Sequence, residues 1–137
     1  MSNISHIEHI GIAVKNLEDS IIIYEKLLGI KCYGIEEIKE QKVKTAFFKL
    51  GDTKIELLES TEPDGPIGKF IEKRGEGVHH IALAVTDVEQ SLREAETSGI
   101  QPIDDKPRLG AENLEIAFLH PKSTGGVLIE LCGKKKQ

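Results

Sequence analysis

The 137-residue chain is long enough for one ordinary domain with a sizeable core and too short for two of typical size. Hydrophobic residues make up 39% and charged residues 30%, a soluble globular balance and not a disordered one. A net charge of −5 argues against a nucleic-acid partner, and no apolar run approaches the roughly 20 residues of a membrane span.

The opening MSNISHIEHI has neither a basic start nor an apolar stretch, so no secretory signal is expected. Residues 8–14 then read as a strand and are followed by a helix pattern. Asn16 with Asp19 has capping spacing at its start, and Gly29 stands where a left-handed cap ends it. Leu17, Ser20, Ile21, Tyr24, Leu27 and Leu28 form its inward stripe. Strands are predicted over 31–40, 43–50 and 53–59. The segment TEPDGPIGKFIEKRGEG reads as a turn, a short helix and a glycine-flanked return.

The same order then begins again. Residues 79–85 read as a strand, and Asp87 with Gln90 caps a second helix whose stripe is Val88, Ser91, Leu92 and Ala95, with Gly99 beyond it. Strands are predicted over 101–106, 114–119 and 126–132, with DDKPRLGAEN as an exposed loop. His9–Ser20 aligns with His80–Ser91 at six identical positions of twelve, and Lys54-Ile-Glu-Leu57 answers Leu128-Ile-Glu-Leu131. A period of about 70 with two copies is too long for a solenoid. The prediction is an α+β fold, a single domain over 1–137. Its module 1 spans about 6–60, its connecting segment 61–77 and its module 2 about 78–132. Each module is a βαβββ unit. Cys32 and Cys132 lack C-x-x-C spacing and read as reduced, packed thiols of a cytoplasmic protein. Lys134–Lys136 reads as a solvated tail.

Strand alternation places His9 on one face with Gly11 and Ala13, and His80 with Ala82 and Ala84. Small residues beside a histidine leave room over the sheet for a cavity. Glu56 and Glu130 recur in the last strand of each module, 47 and 50 residues after their histidines. A lone strand histidine is usually structural, and a lone strand glutamate usually faces water. Recurrence in both repeats is what points to a divalent-metal site built from two imidazoles and two carboxylates. His79 falls on the opposite face, and His6 and His120 have no repeat partner, so all three read as structural or surface residues.

HIGIAV, YEKLLGI, EQKVKTAFFKLG, KIELLE, GVHHIALAV and HPKSTGGVLIEL together resemble the vicinal oxygen chelate superfamily, and within it the methylmalonyl-CoA epimerases. The resemblance covers nearly the whole chain and implies paired βαβββ modules around a central cavity. It implies metal ligation by His9, Glu56, His80 and Glu130, with Co, Mn, Ni or Zn as the ion. It implies catalytic carboxylates at Glu40, before the Gln-Lys-Val segment, and at Glu130. An acyl-CoA substrate, an isomerase activity and a homodimer with no membrane or nucleic-acid partner complete the expectation. Some epimerases carry glutamine at the Glu56 position, and glutamate there gives the ligand set of glyoxalase I. That isomerase of the glutathione–methylglyoxal hemithioacetal is therefore one rival, and a metal-free, resistance-type small-molecule binder is another.

Overall fold

The computed structural model describes residues 3–136. Strand, helix and three strands are followed by a linking helix, and then strand, helix and three strands recur, as the duplicated βαβββ order and the α+β class require. The chain condenses into two compact units, Ile10–His79 and the remainder on either side of it. Among the described residues no helix is long and apolar enough to cross a membrane.

In the Ile10–His79 unit, the end of β1 (Ile4–Ala13) leads to α1 (Leu17–Leu28). The Asn16 side chain accepts the Asp19 N–H at 2.9 Å, and Gly29, at φ 70°, donates to the Glu25 carbonyl. Antiparallel β2 (Gly34–Ile38), β3 (Val43–Leu50) and β4 (Thr53–Ser60) follow. Leu17 of α1 packs on Val14, Ala46, Phe48 and Leu57. Leu27 leaves the expected stripe and is 71% exposed. Leu28 takes the position one turn beyond Tyr24, which rotates Leu27 by about 100° toward solvent.

The strand expected over 31–40 is confined to Gly34–Ile38. The chain reverses with Ile38 opposite Val43, through a 3-10 turn at Lys39–Gln41 and Lys42 at φ 53°. A two-residue hairpin loop favours Gly, Asn or Asp at positive φ. Gln41-Lys42 offers none of these, so residues 39 and 40 join the turn instead. α2 (Pro66–Arg74) follows β4, with proline in its first turn and Ile67 buried.

The other unit holds the first half of β1, most of β5 (Gly77–Val85), α3 (Val88–Thr97), β6 (Arg108–Leu109), β7 (Leu114–Leu119) and β8 (Ile129–Lys134). Asp87 accepts the Gln90 N–H at 3.0 Å to open α3. β5 runs parallel to β8, β8 antiparallel to β7, and β7 antiparallel to β6. One strand face presses Val85, Ala117, Leu119 and Leu131 onto Val88, Leu92 and Ala95 of α3. The opposite face carries Ala82, Ile116 and Cys132, with Phe118 against them.

Three expectations change here. Residues 101–106 make only one bridge, Pro102 to Leu119, because proline lacks the donor a ladder needs. The segment is held instead by Ile103 N–H on the Phe118 carbonyl and by Asp104 accepting the Phe118 N–H. A two-residue strand, Arg108–Leu109, forms inside the expected loop and pairs with Ile116 and Glu115. β8 starts at Ile129 and not at 126, since Gly125 and Gly126 sit at φ 72° and 89°, outside extended conformation.

Gly133 lets β8 pass close to the end of β5. A Cβ there would lie 2.7 Å from the Val85 carbonyl oxygen and 3.2 Å from a Val88 methyl. Gly133→Ala is expected to lower the unfolding free energy by roughly 1–3 kcal/mol, the usual range for overpacking. An unchanged urea midpoint would show that the backbone there moves aside freely.

Candidate metal centre

Three side chains expected at the site meet within one unit. β5 and β8 pair with Ala82 opposite Glu130, so Glu130 stands on the same strand face as Ala82 and His80. Glu130 Oε1 lies 3.3 Å from His80 Nε2, and Oε2 lies 3.7 Å from His9 Nε2. The two Nε2 atoms face each other at 3.0 Å, with the rings nearly perpendicular. His9, His80 and Glu130 are 5%, 6% and 4% exposed. The Phe118 ring stands edge-on to His80, its centroid 5.6 Å from that of the imidazole.

These separations suit a shared divalent ion. Imidazole nitrogen and carboxylate oxygen bind such ions at about 2.0–2.2 Å, which places neighbouring donors roughly 2.8–3.1 Å apart in octahedral and roughly 3.3–3.6 Å apart in tetrahedral arrangements. Neutral imidazoles with one carboxylate match a borderline first-row ion better than an all-oxygen site would. The cluster is therefore able to coordinate a divalent metal ion.

Two further groups border it. Glu8 Oε1 accepts from His9 Nδ1 at 2.6 Å, and the Cys132 thiol lies 3.8 Å from the same oxygen. The sequence reading passed over Glu8, because alternation puts it on the face opposite His9. Cys132 shares a strand face with Glu130, and that period-2 position was the available signal for it.

The remaining site candidates belong to the Ile10–His79 unit. Glu56, 4% exposed, pairs with Phe47 in the register of β4 and β3. Its Oε2 lies 3.8 Å from the Nζ of Lys54, itself only 8% exposed. Burial of this lysine beside the glutamate was not foreseen, since a strand lysine reads as solvent-facing. Glu40 is exposed on the Lys39–Gln41 turn. Lys42, next along the chain, bonds Asp64 at 2.7 Å and ties this turn to the loop before α2. Of the other histidines, His6 is exposed beside Ser5, and His120 Nδ1 accepts the Lys122 N–H at 3.1 Å to cap a 3-10 turn.

The Glyoxalase/Bleomycin resistance protein/Dioxygenase superfamily matches residues 8–118. An uncharacterized Bacillus subtilis protein, YqjC, is 42% identical over 96% of this chain and 94% of its own. The human mitochondrial methylmalonyl-CoA epimerase is 34% identical over 94% of this chain and 74% of its own. Among solved structures, the Streptomyces coelicolor methylmalonyl-CoA epimerase in complex with 2-nitronate-propionyl-CoA superposes with a TM-score of 0.92. It is 36% identical, covering 96% of this chain and 95% of that one.

His79 precedes a site histidine but packs elsewhere, edge-on to Phe70 at 5.0 Å. Burial pushes its pKa down from 6.5 to about 4. The unfolded chain therefore takes up a proton more readily than the folded one between those values. The stability this group contributes is complete above pH 6.5 and is lost as pH falls toward about 4, by as much as roughly 3 kcal/mol. Denaturant titrations across that window are expected to show a smaller acid loss in His79→Phe than in the wild type. Equal slopes would mean the imidazole stays hydrated.

Proposed function

This chain belongs to the Glyoxalase/Bleomycin resistance protein/Dioxygenase superfamily as an isomerase-type enzyme close to the methylmalonyl-CoA epimerases, and we propose that it interconverts (R)- and (S)-methylmalonyl-CoA by proton exchange at C2. The observation that carries this reading is the buried His9–His80–Glu130 cluster in a chain so closely related to those epimerases.

C2 lies between a thioester and a carboxylate, so its proton is weakly acidic and its removal leaves an enolate. A divalent ion supplies Lewis acidity that lowers the cost of the negative charge on oxygen. His9, His80 and Glu130 are assigned to hold it. Glu56 is assigned as the fourth ligand because it occupies in module 1 the place of Glu130 in module 2, and both are buried carboxylates. Burial of the donors keeps competing water away and strengthens each electrostatic contact.

Inversion requires an acid/base group on each face of the planar enolate. Glu40 takes the proton from one face, and Glu130 delivers one to the other. In the reverse direction their roles exchange. A cytoplasmic homodimer is the assembly that accompanies this assignment.

Glu40→Gln is expected to keep its metal and slow C2 exchange by about 10²–10⁴-fold, the range for a positioned general base. Deuterium uptake at C2 of methylmalonyl-CoA, followed by NMR with and without a chelator, reads this directly. Wild-type exchange in the variant removes Glu40 from the reaction. Turnover of the glutathione–methylglyoxal hemithioacetal without exchange at C2 would assign a glyoxalase I activity instead. No bound metal, and no activity after metal addition, would leave a binding module.

A further inference from the structure

We propose that Glu8 is a positioning residue for His9: its carboxylate holds the imidazole as the Nδ1–H tautomer and so turns the Nε2 lone pair toward His80 and Glu130. The inference rests on the reading of His9, His80 and Glu130 as a metal site.

The tautomer follows from the donor inventory. An ionised carboxylate only accepts hydrogen bonds, so the 2.6 Å contact from Glu8 Oε1 to His9 Nδ1 requires the proton on Nδ1. A neutral ring carries one such proton, which leaves Nε2 bare. Nε2 is the atom that faces His80 Nε2 at 3.0 Å and Glu130 Oε2 at 3.7 Å. With the opposite tautomer, the Nε2 proton would occupy the space a cation needs.

Glu8 is itself held for this task. Its side chain is 16% exposed, the first in β1 to turn from solvent, and residues 4–7 before it are all exposed. The Cys132 thiol approaches the same oxygen from β8, which steadies the carboxylate from a second strand. At the matching place in module 2 stands His79, edge-on to Phe70. The Glu8 carboxylate raises the basicity of His9 at Nε2. Carboxylate–histidine–metal contacts of this kind typically alter metal affinity by about 10–100-fold.

The test uses the metal-free protein, ¹⁵N-labelled, at a pH where the rings are neutral, and cobalt(II) as the titrant. Long-range ¹H–¹⁵N spectra report which His9 nitrogen carries the proton, and calorimetry reports affinity. Wild type is expected to show Nδ1–H. Glu8→Ala is expected to move the proton toward Nε2 and to weaken cobalt binding about 10–100-fold. Glu8→Gln, whose amide oxygen still accepts from Nδ1, is expected to restore the tautomer and part of the affinity. An unchanged tautomer and affinity in Glu8→Ala overturns the role of Glu8 alone. No cobalt binding by the wild type, whatever its tautomer, overturns the metal reading on which the role depends.

Discussion

The site depends on one close approach: two imidazole nitrogens face each other at 3.0 Å beside a carboxylate, all three side chains nearly sealed from water. Left alone, such a group is costly. A bare lone pair opposed to a carboxylate oxygen is repulsive, and burying a carboxylate strips away its hydration. Positive charge at their centre, whether a proton or a divalent ion, resolves the conflict. The surrounding fold presents acceptors toward a point where a cation belongs.

Sheet geometry makes that approach possible. Parallel pairing of β5 with β8 sets Ala82 across from Glu130, and the pleat keeps His80 on the same side. The aliphatic face of the same strands is committed to α3. Slipping β8 by one residue would send Glu130 into the apolar core and expose Leu131 at the site, and the same slip in β5 would turn His80 inward. The hydrophobic contact with α3 thus holds the polar face in register.

Much of this was legible because the chain states it twice. Alternating runs gave way to helical spacing at Asn16 and again at Asp87, and both side chains cap as their spacing implied. His9, His80 and Glu130 stood out by repetition, since each alone resembles any strand histidine or glutamate. Features present in one module only were hidden. Glu8 reaches His9 although alternation separates their faces, and Arg108–Leu109 becomes a strand only because β7 lies beside it. The turn carrying Glu40 depends on Lys42 adopting a left-handed conformation that its residue type does not announce.

His9 and His80 also stand where the chain leaves one unit and returns to it, with residues 10–79 forming the excursion between them. An ion held by both histidines would close the two ends of that segment together, in addition to the chemical task proposed for it. Because such a closure engages only the folded polypeptide, an ion at a hundred times its dissociation constant adds about 2.7 kcal/mol to its stability. The metal-loaded form would then resist unfolding better than the metal-free one.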